Sequence, residues 1–584
     1  MKKIVLTAIN AKYIHSNPAI YSLKANAGEY GQTVELAEYT INHQREEILA
    51  GIYQRKPDVV GFSCYIWNIE YVLDVAENLK KVCPHLQIVL GGPEVSYDAE
   101  KVLEKYPFVD LVMVGEGENT FRQYVAYVQG EGVSHLSEIQ GLCFRNEGKP
   151  FFTAPQMPIK MDDLVFPYQD VEQMENRIIY YETIRGCPFS CSYCLSSLDK
   201  TVRLRSLDLV FQELTFFLEH KVPQVKFVDR TFNCNHTHAY EIWKFIKEHD
   251  NGITNFHFEI GGDLLREEDF ELFREFRPGL IQFEIGVQST NLSTIEEIRR
   301  KMDLEELSSH VERVRQGKNI HQHLDLIAGL PHEDYESFHQ SFNDVYRMHP
   351  DQFQLGFLKV LKGSYMEEKR EDYEIAYQSR PPYEVLSTKW LPFEDVLRLK
   401  QVEEMVEVYY NSFQFQATMI LLEKQFLDAF TMYEKMGMYY EDNGLFGLKH
   451  SRIARYEILW AFIEKNVEGE KCREWLRQTL TFDLFARDFV KNPPDFILPR
   501  TKEYQQEVRS FFTRETEHPT VLEGYEGYLP KQLFHMIYLR EFTLDIPVLL
   551  ETGEICERKA YSLLFDYQKR NSLTHSAKIV TVTV

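Results

Sequence analysis

Cysteine is scarce in this chain, with nine in 584 residues. Six of the nine (Cys64, Cys83, Cys143, Cys234, Cys472 and Cys556) are scattered, which excludes the disulfide framework that staples small secreted domains. Sparse thiols in a long chain point to a reducing compartment, and a cytoplasmic location is expected. Long apolar runs are missing too. None approaches the ~18 residues of a membrane span, and the opening MKKIVLTAIN reads as a first strand rather than a signal peptide. Bases are outnumbered, 65 against 89 acids, for a formal charge of −24. That opposes a broad nucleic-acid surface, which needs a basic face. Lys200, Arg203 and Arg205 are the local exception and are read as a solvated rim. Internal repeats and low-complexity segments are absent. Neither Gly91-Gly92 nor Gly115-x-Gly117 completes a G-x-G-x-x-G fingerprint, which disfavours nicotinamide cofactors.

What is present suits a large globular chain: 44% hydrophobic and 14% aromatic residues, with about three domains expected at ~100–200 residues each. Residues 1–130 alternate strand patterns (3–8, 33–38, 58–63, 87–90, 109–114) with helical ones (18–30, 69–82). This argues for a Rossmann-like α/β domain, a parallel sheet with helices on both faces. Its special residues gather at the carboxyl ends of the strands, the edge where open α/β sheets bind ligands. They are Ser63 with the loop Tyr65–Asn68, then Gly91-Gly92-Pro93-Glu94, then Gly115-Glu116-Gly117. Glycine allows close backbone approach to a flat ligand, and Tyr65 and Trp67 offer aromatic walls. The plainer alternative is that these glycines only make turns. Residues 131–175 read as a connector with a strand pair near 142–145 and 151–153.

Residues 176–375 repeat a βα pattern with strands at 178–184, 224–229, 254–260, 280–287, 321–327 and 352–360. Six units fit a partial (β/α)6 barrel with its site at the strands' carboxyl ends. Residues 376–584 turn mainly helical (393–413, 417–438, 451–466), with candidate strands at 548–552 and 578–584. This last domain either caps the barrel mouth or serves packing or dimerisation.

The sharpest signal is the loop Cys187-x3-Cys191-x2-Cys194, with Tyr193 directly before the third sulfur. Three thiolates on one short loop can hold three irons of a [4Fe–4S] cube and leave the fourth iron open. The alternative is a structural zinc site, closed by a fourth ligand from Cys234, His236 or His238. The cluster is preferred because the loop follows a strand and the barrel pattern follows it.

At these residues the chain resembles the radical S-adenosylmethionine (SAM) superfamily. The preceding α/β domain, carrying GGPE and VGEGENTF, makes residues 1–360 resemble its cobalamin (B12)-dependent branch. The resemblance implies a [4Fe–4S] cluster on Cys187, Cys191 and Cys194, with SAM chelating the open iron through its amino and carboxylate groups. It implies cobalamin against Ser63, Tyr65, Trp67 and Asn68, against Gly91, Gly92, Pro93 and Glu94, and against Gly115, Glu116 and Gly117. Tyr193 belongs to the signature loop, and Asp229 matches the position that contacts the SAM amino group. Glu284, Gln288 and Ser289 match the segment along ribose and methionine, and Arg300 one that faces the SAM carboxylate. Ile327, Gly329 and Leu330 match the segment beside adenine. The D-x-H-x-x-G loop that gives cobalt a histidine is absent, so His15 is read as an ordinary polar loop residue.

The implied activity is a cobalamin-dependent methyltransferase acting on an unactivated carbon through methylcobalamin and a 5′-deoxyadenosyl radical. Two alternatives stand beside it. One is a radical cyclase, oxidase or rearranging enzyme that uses cobalamin for electrons; the other is a non-catalytic cobalamin- or metal-binding regulator. A reductase such as flavodoxin or ferredoxin is the implied electron donor. No motif names a substrate.

Overall fold

The computed structural model describes residues 1–11, 15–168, 177–570 and 576–584. The end of the expected connector, 169–175, and residue 176 lie outside the described residues. The chain divides into two compact units, Met1–Phe338 with Gly356–Phe393, and His339–Leu355 with Glu394–Val584.

The first unit opens with five parallel strands: β1 (Ile4–Asn10), β2 (Val34–Thr40), β3 (Val59–Ser63), β4 (Gln87–Gly91) and β5 (Leu111–Met113). Their order is β2-β1-β3-β4-β5. Every residue of β1 and β3 is buried, as a parallel sheet covered on both faces requires. Ile48 and Ile52 of helix Arg45–Gln54 and Val72, Val75 and Leu79 of helix Ile69–Val82 share a core with Val60 and Ile88. The first of these helices was not expected, because two buried isoleucines in ten residues make too faint a period. The strand pair expected in the connector is β6 (Leu142–Asn146) and β7 (Lys149–Phe152), and it extends the same sheet antiparallel beyond β5. Chain order reverses beside β1, which places the ligand crevice at the carboxyl ends of β1 and β3.

Next come β8 (Ile178–Tyr181), the antiparallel pair β9 (Ile184–Arg185) and β10 (Arg203–Leu204), then β11 (Gln224–Phe227), β12 (Asn255–Ile260), β13 (Ile281–Gln288), β14 (His321–Ala328) and β15 (Gln352–Phe357). The sheet order β15-β14-β13-β12-β11-β8 is that of the expected partial (β/α)6 barrel. β13 shows how the sequence builds it. Ile281, Phe283, Ile285 and Val287 are buried, while Gln282, Glu284, Gly286 and Gln288 form the alternate, half-buried row. Trp243 packs on the buried row's side, 5.8 Å from Phe283. The other row leaves polar side chains for the barrel interior. β16 (Ala376–Tyr377) and β17 (Val385–Ser387) follow, Val385 sharing a core with Ile298, Leu330 and Leu358.

The second unit is mainly helical and carries an antiparallel sheet of β18 (Ile537–Leu544), β19 (Glu557–Arg570) and β20 (Ala577–Val582). Two expectations fail here. The helix expected over 417–438 is two helices, Gln416–Glu423 and Ala429–Asp442, because the Asp428 side chain accepts from Thr431 N at 2.8 Å and starts the second. The strand expected at 548–552 is the helix Ile546–Thr552. Asp545 caps it, Pro547 occupies its first turn, and Gly553 ends it in the left-handed region. Among the described residues no helix is long and apolar enough to cross a membrane.

Candidate active site

The strand ends of the first sheet and of the barrel open into one cavity of about 600 Å³ within the first unit. Ser63, Tyr65, Gly91 and Gly115 line it from the first sheet, and Tyr180, Gly186 and Arg230 from the barrel. Tyr65 and Trp67 stack face to face at 4.5 Å and form an aromatic wall. The residues after β1 dock the two halves together. Ser16 N donates to Ile178 O at 3.0 Å, and Tyr180 N donates to Ser16 Oγ at 3.0 Å. His15, read from the sequence as an ordinary polar loop residue, is buried, lines the cavity and stacks on Tyr180 at 4.8 Å.

Charges reinforce this junction. Arg185 pairs with Glu118 at 2.6 Å, and Arg203 donates to Glu116 at 3.1 Å and to Ile159 O at 2.8 Å. Arg205 is buried and donates to Glu213 at 2.9 Å, and Lys200 donates to Phe189 O at 2.9 Å. The solvated-rim reading holds for Lys200, which is exposed, and fails for Arg203 and Arg205, which are half-buried and buried. Arg203's partners Glu116 and Ile159 lie 87 and 44 residues away, separations that sequence spacing does not reveal.

The cysteine loop is built by backbone constraints. Gly186 has φ +84°, and a Cβ there would lie 2.3 Å from Thr201 O, so only glycine turns the chain from β9 into the loop. Cys187 N then donates to Asp199 O at 2.9 Å, Ser192 N to Ile298 O at 3.0 Å and Cys194 N to Cys191 O at 3.2 Å. Cys187 and Cys191 are buried, Cys194 is half-buried, and all three are free thiols. Arg300 Nη1 lies 3.9 Å from Cys191 Sγ and donates to Tyr193 OH at 3.2 Å. This donor set, three thiols on one short loop with a guanidinium beside Cys191, suits an anionic iron–sulfur cube. Two of the three alternative zinc ligands are engaged elsewhere. His238 is held 3.3 Å from Thr183 Oγ1, and His236 3.0 Å from Asp269. Among the described residues no three His, Cys, Asp or Glu side chains are grouped to hold a single metal ion.

The barrel interior carries a polar network that motif reading missed apart from Glu284. Glu284 lies 2.8 Å from Lys226 Nζ and 3.1 Å from His257 Nε2, and Arg230 lies 3.7 Å from Glu259. On β14, His323 lies 2.9 Å from Asp325. Burial opposes the Glu284 carboxylate, but the His257 contact and the Lys226 charge hold it well below the usual range. Burial pushes Glu259 up to about 6, with Arg230 opposing and Glu284 adding to the rise. The available signal was the period-two placement of charged residues on β11 to β14.

The raised Glu259 has a measurable consequence. Its folded value exceeds the reference 4.5, so its contribution stabilises the fold below pH 4.5 and is lost as pH rises through about 6. Infrared titration should show a protonated-carboxyl band that fades near pH 6 and is missing from Glu259→Gln. An identical titration in both proteins would refute the assignment.

Several residues matched by resemblance have their side chains engaged elsewhere. Asn68 lies off the cavity lining; it accepts from Tyr65 N at 2.8 Å and donates to Ile9 O and Ser63 O at 3.0 and 2.8 Å, which shapes the loop. Pro93 does not line the cavity either, and Glu94 pairs with Lys362 at 3.1 Å. Asp229 is buried and accepts from Thr183 N at 2.8 Å and from Ile184 N, clamping the strand that leads to the cysteines. Ser289 donates to Glu333 at 2.7 Å. Leu330 is fully buried in an apolar core that Ile327 flanks, and a Cβ on Gly329 would meet Val385 at 2.8 Å. Gln288, at φ +74°, lies at the β-bulge between β13 and β14. Gly92, Glu116 and Gly117 do line the cavity.

Three family models match the chain: a B12 binding domain over residues 4–125, the Radical SAM superfamily over 181–345, and a protein family of unknown function, DUF4080, over 371–565. The chain is 28% identical over 320 residues to the 2-(S-pantetheinyl)-carbapenam-3-carboxylate methyltransferase of Streptantibioticus cattleyicolor, covering 51% of this chain and 46% of that protein. It is 24% identical over 341 residues to the anaerobic magnesium-protoporphyrin IX monomethyl ester cyclase of Rubrivivax gelatinosus, covering 56% and 60%. It therefore spans about half the length of the first relative. Among solved structures, the cobalamin-dependent SAM radical enzyme OxsB, with aqua-cobalamin and SAM bound, shares the fold. The TM-score is 0.56 at 14% identity, covering 88% of this chain and 84% of that one. The chain thus carries a B12-binding domain followed by a radical SAM domain, the order of domains that marks the cobalamin-dependent radical SAM enzymes it resembles.

Proposed function

We propose that the protein is a methyltransferase that uses cobalamin, SAM and a [4Fe–4S] cluster to methylate an unactivated carbon. The observation that carries this reading is the shared cavity. Strand ends of the B12-binding domain and of the radical SAM domain face one space, where reacting centres can be brought together. Bound there, the three cofactors supply a hydrogen-abstracting radical and a transferable methyl group. Cys187, Cys191 and Cys194 would hold the cluster, and the loop bonds from Asp199, Ile298 and Cys191 keep their backbone in place without it. Arg300 sets positive charge beside the thiolates and orients Tyr193. Ser63, Tyr65, Gly91 and Gly115 would face cobalamin, and Gly115 leaves open space where a Cβ would stand. Glu284, fixed by Lys226 and His257, offers a permanently charged acceptor inside the barrel. A cytoplasmic location, and an electron donor of the flavodoxin or ferredoxin type, belong to the same proposal.

The cyclase relative names the competing reading, and product analysis separates the two. Anaerobic incubation of the reconstituted protein with SAM and reductant should yield S-adenosylhomocysteine only when cobalamin is present. Formation of 5′-deoxyadenosine without S-adenosylhomocysteine would replace methylation by a radical reaction that spares the methyl group.

A further inference from the structure

The second unit carries its own pocket of about 350 Å³ beside helix Lys502–Glu517 and the start of β18. One wall is aromatic. Phe485 stacks on Tyr538 at 4.0 Å, and Phe489 lies 5.8 Å from the same ring. The polar side is cationic: Lys491, Arg500 and Arg509 line the pocket, and no Asp or Glu does. In a chain with 89 acids and 65 bases, this is a local inversion of charge. Asp488, just before the pocket, is already shared by Arg452 and by Arg570 at 2.8 Å. Among the described residues, Lys491, Arg500 and Arg509 have no ion-pair partner. The Arg500 guanidinium rests 3.9 Å over the Tyr538 ring, a position that keeps the cation against an apolar surface.

Three uncompensated cations beside aromatic rings form a site that one ligand anion would complete. Guanidinium forks match carboxylate and phosphate oxygens, and the rings match a flat or extended apolar body. We propose that this pocket binds a small organic anion, an aryl or acyl chain ending in a carboxylate or phosphate. The anionic end meets Arg500, Arg509 and Lys491, and the body lies against the exposed ring of Phe489. The site is independent of the radical chemistry, and its test requires none of the three cofactors.

Calorimetric titration of the full chain with 4-phenylbutyrate, phenyl phosphate and the uncharged 4-phenylbutan-1-ol tests this. At least one anion should bind about tenfold more tightly than the alcohol, the size of a charge-assisted contact. The stronger anion tells carboxylate from phosphate. Arg500→Gln should remove most of that advantage. Lys491 and Arg509 are exposed, so Lys491→Gln with Arg509→Gln should do the same at an unchanged melting temperature, and this pair decides if Arg500→Gln does not fold. Absence of binding by either anion at millimolar concentration, equal affinity for the alcohol, or unaltered anion binding in the Lys491→Gln, Arg509→Gln protein would overturn the proposal.

Discussion

Replacing any one of Cys187, Cys191 and Cys194 by alanine should abolish the visible iron–sulfur absorption of the anaerobically reconstituted protein and all cleavage of SAM. The loss is expected to be complete because a cube with a deliberately open iron has no spare protein thiolate. Folding should survive, since the loop is held by its own backbone bonds and by Asp229 beneath it, not by the sulfurs. Cys83→Ala and Cys472→Ala are the controls, because neither lies near the loop in sequence or in the cavity lining. Cys234 is the more searching control. Burial, and after it the charge of nearby Cys187, push the Cys234 thiol up to about 11, yet Cys234→Ala should keep the iron. Full zinc occupancy with no iron retained, or iron undiminished in Cys191→Ala, would remove the cluster assignment.

The elements that carry the site were legible because their signals are local. Strands β1, β3 and β4 are mainly apolar runs ending in polar or glycine residues, and the cysteine spacing lies within eight residues. Asp229 and Glu94 show where that reading stopped. Both sit at strand ends or turns beside the site, and the sequence cannot say whether a carboxylate there meets a ligand or the protein. The structure assigns Asp229 to two backbone N–H groups and Glu94 to Lys362, a partner 268 residues away. Burying a carboxylate unpaired is costly, so a partner was required, but its identity depends on the tertiary fold.

The barrel interior was missed for a related reason. Lys226, His257, Glu259 and His323 each look like an isolated polar residue in an apolar strand. Only register makes them a set: Lys226 pairs with His257, Glu259 with Glu284, and Glu284 with His323. In the second unit the error was one of weighing signals. The run 548–552 is strand-like in composition, yet the aspartate before it, the early proline and the closing glycine are helix-boundary signals, and a cap of this kind contributes about 1 kcal/mol.

Filling the shared cavity from its glycine edge should remove cobalamin and leave the cluster intact. Gly92 is the obvious target and the wrong one. It holds φ +115°, and a Cβ there would lie 2.5 Å from Cys64 O, so any side chain would distort the β3–β4 strand ends before it reached a ligand. Gly115 faces open space, but at φ +82° a side chain is strained as well. Gly91 has neither fault. It ends β4 and lines the cavity, and a Cβ would make only ordinary contact with Met113 at 3.7 Å. Gly91→Ala should therefore fold and bind nearly as the parent does. Gly91→Leu should intrude on the ligand, and overpacking of about 1–3 kcal/mol corresponds to a ~10–100-fold loss of cobalamin affinity. Iron content and SAM binding should stay at parent levels, because the barrel side of the cavity is lined by Gly186, Ser196 and Asp199, which flank the cysteine loop, and not by the cysteines themselves. Cobalamin retained at full stoichiometry in Gly91→Leu would mean that the corrin does not occupy this cavity. Loss of cobalamin and iron together would mean that the two strand-end faces do not assemble independently, and the methyl-transfer reading would then need a different arrangement of its centres.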